Sequence, residues 1–157
     1  MPNWCDNKLI FTDKKDYDYI KLISDTINED GDKQAFDFNA FVQIDETKKD
    51  WYFERISKWG CKWNSSSVSW CDDKMYVYFC TPWSPPNTYL LKAIHKLVKK
   101  DVNFYYYEGG VGFCGSVGLL ASKFVERYYD ISNREEVKCI LDEFGVNLTE
   151  ENDENEK

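Results

Sequence analysis

Histidine is almost missing from this chain. There is one, His95, among 157 residues. A single histidine excludes the paired His-x-Thr/Ser chemistry of two-histidine phosphodiesterases. It also leaves any cysteine nucleophile without a recognisable partner, since a protease-like site needs a base beside its thiol. The six cysteines (Cys5, Cys61, Cys71, Cys80, Cys114 and Cys139) contain no Cys-x-x-Cys pair. Structural zinc sites draw about four ligands from such close pairs, so no metal and no cofactor is expected. No apolar run approaches the ~18 residues of a membrane span, and no charged segment precedes an apolar signal core. The expectation is therefore a soluble, cytoplasmic protein with free thiols. On that reading the glycosylation-like Asn64-Ser65-Ser66 and Asn147-Leu148-Thr149 carry no meaning.

A basic footprint is lacking too. The net charge is −8, of which residues 149–157 contribute −4 and the remaining body −4. This balance argues against nonspecific nucleic-acid binding, which depends on neutralising phosphates. The acidic end reads as a solvating, disordered tail. Residues 1–148 read as one domain, because no internal repeat and no linker interrupts them and the length suits a single core.

Aromatic residues, by contrast, make up 17% of the chain. Four motifs concentrate them beside glycine, proline and cysteine: Pro2-Asn3-Trp4-Cys5, Trp59-Gly60-Cys61-Lys62-Trp63-Asn64, Thr81-Pro82-Trp83-Ser84-Pro85-Pro86, and Glu108-Gly109-Gly110-Val111-Gly112-Phe113-Cys114-Gly115. Turns ordinarily use small polar residues, so tryptophan here needs a reason.

Periodicity gives the frame. Residues 4–12 alternate as a strand, and Ile20, Ile23 and Ile27 mark a helix over 13–29. Phe36, Phe38 and Phe41 anchor an otherwise polar stretch, followed by a short helix over 51–59 that Gly60 closes. Residues 67–70 and 75–80 form a hairpin. Leu90, Leu91, Ile94, Leu97 and Val98 make the apolar stripe of a helix begun at Pro85-Pro86. Strands at 102–108 and 112–119 follow. A final helix carries Val137, Ile140, Leu141 and Phe144 behind a Ser132/Glu135 capping box. The order β-α-(insertion)-β-β-α-β predicts an α+β, ferredoxin-like split βαβ sandwich with an antiparallel sheet. To it are added an inserted helix, an extra strand and a C-terminal helix.

On these motifs, together with Phe36-Asp37-Phe38-Asn39 and Asp6-Asn7, the chain resembles the YubB ferredoxin-like family, small proteins of unknown function carried mostly by plasmids and phages. The resemblance covers roughly residues 2–119 on a domain-sized match. Cys61 and Asn64 replace the threonine and aspartate of the usual Trp-Gly-Thr-Lys-Trp-Asp motif, and Gly109 replaces a proline. The resemblance implies the ferredoxin-like fold and an accessory role in host defence or regulation.

Three functions are open at this stage. The first is a non-enzymatic accessory protein that binds and inhibits or modulates a host protein. The second is a nucleotide-like ligand module, with stacked rings assisted by Lys62 and polar side chains. The candidate binding residues for both are Trp4, Asn7, Trp59, Lys62, Trp63, Asn64, Trp83, Ser84 and Glu108. The third, an enzyme with Glu108 as base, lacks a partner constellation. Against all three stands the use of these tryptophans as walls of the core. The glycines of 109–118 predict a tight turn or bulge that lets a ring such as Trp83 or Trp63 lie against backbone.

Overall fold

The computed structural model describes residues 2–28, 30–120 and 123–147. The acidic tail predicted at 149–157 lies outside them. The described elements are β1 (Trp4–Phe11), α1 (Lys14–Ser24), a two-residue ribbon β2 (Thr26–Ile27) and β3 (Lys33–Gln34), and a 3-10 turn at Phe38–Ala40. These are followed by α2 (Trp51–Trp59), β4 (Ser66–Cys71), β5 (Tyr76–Pro82), α3 (Thr88–His95), β6 (Val102–Glu108), β7 (Phe113–Leu120), β8 (Lys123–Asp130) and α4 (Arg134–Glu143).

Six strands form one antiparallel sheet in the order β4-β5-β1-β6-β7-β8. Its β4-β5-β1-β6 part, with α1 and α3, is the ferredoxin-like split βαβ. The central strand β1 pairs with β5 from Trp4↔Pro82 to Ile10↔Tyr76, and with β6 from Asp6↔Tyr107 to Phe11↔Val102.

Period-two alternation gives each sheet face its own core. Cys5, Leu9, Phe11, Val77, Phe79, Phe104, Val117 and Leu119 are buried on one face with Tyr17 and Ile20 of α1 and Leu90, Leu91 and Ile94 of α3. On the opposite face α4 lays Val137, Ile140 and Leu141 against Cys114, Tyr105, Tyr107 and Tyr129. The inserted segment joins the first core through Phe36, Phe38, Val42, Ile44 and Trp59.

Local chemistry moves several elements from their predicted places: α3 begins at Thr88, after the Asn87 cap whose side chain accepts the Leu90 amide, rather than at Pro85-Pro86, and it ends at His95, before Leu97 and Val98. Helix α1 stops at Ser24, whose hydroxyl donates to the Ile20 carbonyl at 2.7 Å and offers the backbone an alternative to another turn. The Ser132/Glu135 capping box does not form: Asn133 is the N-cap of α4, without a side-chain bond to the helix amides, and its amide donates to Glu136 instead. The sheet also continues one strand beyond β7. The new strand β8 is exposed along most of both faces, so its sequence lacks the alternation that marks a half-buried strand.

Glycine in the 109–118 segment does let rings approach backbone, but the rings are tyrosines, correcting the choice of Trp83 or Trp63. A Cβ on Gly115 would overlap Tyr106 Oη and the Arg127 carbonyl, and one on Gly109 would overlap the Tyr107 ring. Tyr106 sits directly opposite Gly115 in the ladder and covers it. Gly115→Ala should therefore overpack a rigid backbone contact and cost about 3 kcal/mol, measured by urea unfolding. An unchanged midpoint would refute the contact.

A surface cluster of tryptophans as the candidate site

Register delivers the first two rings. Trp4 opens β1 directly opposite Pro82, and the Trp83 amide donates to the Asn3 carbonyl at 2.8 Å. Trp83 itself is held at φ +62°. This left-handed conformation is rare for a bulky residue and costs about 1–2 kcal/mol. Its neighbours hold it there. The Thr81 hydroxyl donates to the Ser84 carbonyl at 2.7 Å, the Ser84 amide to the Pro82 carbonyl at 2.8 Å, and the Ser84 hydroxyl to the Gly60 carbonyl at 2.8 Å.

That last bond ties the corner to the end of α2, which presents the third ring. Gly60 caps α2 at φ +87°, where a Cβ would collide with the Asn87 backbone. The chain then reverses outward. Arg55, its guanidinium over the Trp51 and Trp59 rings, donates to the Lys62 carbonyl at 3.1 Å and pairs with Glu46. The Cys61 thiol donates to the Trp63 carbonyl at 3.3 Å.

Three motifs far apart in sequence thus place Trp4, Trp63 and Trp83 together at the surface. Trp63 is central, its ring centroid 6.2 Å from Trp4 and 5.9 Å from Trp83, with interplanar angles of 42° and 40°. These separations are those of rings in direct contact, so no slot remains between them for another ring. They are 43%, 39% and 50% exposed, respectively. The Lys62 ammonium lies 5.3 Å from the Trp63 centroid and 5.8 Å from that of Tyr52, which in turn meets Phe53 at 5.5 Å. The exposed aromatic strip therefore runs from the tryptophans across Lys62 to the outer side of α2. Tyr52 and Phe53 were not among the sequence candidates, yet a signal existed. Trp51, Tyr52 and Phe53 are consecutive, and a helix cannot turn three successive side chains inward.

The other candidates are held in structural contacts: Trp59, Asn7 and Glu108 are buried, and the half-buried Asn64 and Ser84 have their side chains bonded to neighbouring segments. Trp59 is fully buried, and its indole N–H donates to the Val42 carbonyl at 2.8 Å. Asn7 is buried between β1 and β5. Asn64 accepts from the Phe38 and Ser65 amides and donates to Asp37 at 2.7 Å, fastening the insertion. An aspartate at that position would set a second carboxylate against Asp37. Ser84 is spent on Gly60. Glu108 is buried and accepts the Gly110 and Val111 amides at 2.9 and 2.6 Å, so its carboxylate closes the β6–β7 turn rather than facing a substrate.

The thiols of the aromatic motifs are buried, which favours the protonated form, the poorer nucleophile. Burial pushes Cys61 up to about 12, against a smaller opposing effect of Arg55, and burial pushes Cys114 up to about 11. Burial, reinforced by the charge of Asp6, raises Cys5 further. No two of the six cysteines are bridged.

Residues 58–157 match the family model described as the ferredoxin-like domain in Api92-like protein. The chain belongs to this family. The matched stretch starts near the end of α2 and includes β4 through α4; β1, central to the sheet, lies before it. Among solved structures, the crystal structure of Api92 from Yersinia pseudotuberculosis is similar at 16% identity and a TM-score of 0.49, covering 63% of this chain. This Api92-like chain spans only 43% of the length of that protein. No curated protein matches it. Among the described residues no helix is long and apolar enough to cross a membrane.

Two outcomes test the site. Trp83→Gly should be about 1 kcal/mol more stable than Trp83→Ala, because only glycine relieves the left-handed strain. Equal midpoints in urea would mean that position 83 carries none. The second outcome concerns Cys61. A thiol whose pKa rises on folding stabilises the fold fully below its unfolded value of about 9 and loses that contribution as pH climbs toward 12. Cys61→Ser should accordingly lose stability less steeply than the parent between pH 9 and 12. Parallel slopes in denaturant titrations across that window would show that Cys61 does not contribute.

Proposed function

We infer that this is a non-enzymatic accessory protein that binds another protein through the Trp4–Trp63–Trp83 cluster. The observation that carries this reading is the exposure of three touching tryptophans, one of them on strained backbone. Soluble monomers rarely expose contiguous aromatic surface without using it, and tryptophan is the residue most enriched at binding hot spots. Backbone strain at an exposed side chain supports the same view, because such strain persists at sites where side-chain position matters. The poverty of catalytic groups agrees with binding rather than reaction. The finer resemblance to YubB proteins of plasmids and phages supports a host protein as the target, inhibited or modulated on behalf of the mobile element.

A nucleotide-like ligand is the second reading. It is favoured by Lys62 beside the Trp63 ring, but contact between the rings leaves only their outer faces for a base.

Immobilised protein should retain a stoichiometric partner from bacterial lysate, and Trp63→Ser should weaken that complex about 30-fold, the scale of a 2 kcal/mol hot spot. Retention undiminished by Trp63→Ser would remove the cluster from the interface. Saturable quenching of tryptophan fluorescence by a nucleotide panel, without a protein partner, would favour the ligand reading.

A further inference from the structure

The two edges of the sheet are built differently. At the β4 edge the register shifts between Ser66 and Ser69, and Ser67 takes φ +51°. The inserted segment lies beside it: Gln34 donates to the Ser65 carbonyl at 2.8 Å, and Trp70 donates to the Ala35 carbonyl at 3.0 Å. A bulge and a covering segment are common devices that blunt an edge. Among the described residues the β8 edge has neither. Its eight residues pair with β7 in unbroken register from Phe113↔Asp130 to Leu120↔Lys123, and no described strand pairs with its outer side. Val125 and Tyr128 are exposed on it. Such an edge is a template for another strand.

Its charges decide which strand. Residues directly opposite in a ladder share a face, so Tyr129, opposite Cys114, lies on the α4 face together with Lys123, Val125 and Arg127. Phe124, Glu126, Tyr128 and Asp130 lie on the other face, where Phe124 packs on the main core and Tyr128 stacks on Phe113 at 5.7 Å. Both bases are on one face and both acids on the other.

This segregation disfavours a second copy. A twofold-related antiparallel partner turns like faces to the same side, so bases meet bases and acids meet acids. Each register in which five or more residues of the two strands oppose one another sets like charges directly across: Lys123 against Arg127, Glu126 against itself, Arg127 against itself, or Glu126 against Asp130. Like charges in that position destabilise a ladder.

We propose that the β8 edge pairs with an extended segment of a different protein, antiparallel, whose sequence reads basic-x-x-acidic-basic-x-x-acidic with apolar or β-branched residues between. Such a segment sets a base across from Asp130 and Glu126 and an acid across from Arg127 and Lys123, while its backbone takes up the open row of β8 amides and carbonyls. The site is at the opposite end of the sheet from β4 and does not depend on the tryptophan cluster.

The test is an NMR titration of the β8 amides of the full chain with two peptides of equal composition. The first, Lys-Thr-Val-Glu-Lys-Thr-Val-Glu, matches the edge. The second, Lys-Thr-Val-Lys-Glu-Thr-Val-Glu, sets two of its four charges against like charges in either strand direction. The first should shift and protect β8 amides and bind about tenfold tighter than the second, and Arg127→Glu should reduce that preference. Equal binding of the two peptides, no β8 response at millimolar peptide, or β8 signals that move with protein concentration alone would each overturn the assignment, the last in favour of a second copy.

Discussion

The pairing of β1 with β5 is the constraint on which the rest of this structure depends, and Asn7 is what makes it unique. Its amide is buried inside an apolar face and donates to the Cys5 carbonyl and Thr81 hydroxyl at 2.9 Å and to the Phe79 carbonyl at 3.3 Å. Leaving that amide unmet would cost about 1–3 kcal/mol. A slip of one residue would also turn Leu9 and Phe11 out of the core. Only the observed register satisfies both demands. Once it is set, Trp4 must lie across from Pro82, and the Asn3 carbonyl is in place to receive the Trp83 amide. Two of the three surface rings are therefore consequences of one buried side chain, Asn7, which lies three residues after Trp4 and is bonded to Phe79 and Thr81, four and two residues before Trp83.

The third ring depends on the insertion. Residues between α1 and β4 would be a long, costly connection were they not fastened at several points. Phe36 and Phe38 enter the aromatic core, where Phe38 meets Trp59 at 5.6 Å and Phe36 meets Phe79 at 4.9 Å. Asn64 and Ser65 then bond back to Asp37, Phe38 and Phe36. Asn87, the N-cap of α3, receives the Leu90 amide while its own groups bond to the Trp59 and Ser57 carbonyls. The end of α2 is thereby locked to the start of α3, and Trp63 can only emerge beside Trp83. The cluster is an outcome of tertiary packing rather than of any one loop.

This explains which parts were legible in the sequence. Strands and helices with one buried face announced themselves by period, and the split βαβ order followed from them. Both faces of β1 and β5 divide as the alternation of Leu9/Phe11 and Val77/Phe79 required. The strand β8 was invisible because nearly all of it is wet, and a strand without a dry face has no pattern to read. The site was half legible. The motifs held the right tryptophans, but nothing in their spacing distinguished Trp59, which faces the core from a helix, from Trp63, which lies beyond a left-handed glycine. Glu108 had the look of a catalytic base only because a carboxylate that closes a turn and one that meets substrate are the same residue in a string of letters. Burial separates them.

Stability alone does not account for the surface that results. Trp59 shows that this core can take a whole indole and satisfy its N–H, so the exposed rings are not overflow from a core without room. Nor is the corner at Trp83 relaxed: a glycine there would meet the same turn at lower conformational cost. A ring kept on strained backbone touches a ring set by a helix cap, which in turn touches a ring set by sheet register. The strain works against marginal stability, and all three features place an indole at one spot on the surface. Position, then, is what these features have in common, and a fixed, rigid aromatic surface loses little conformational freedom when it docks against a partner.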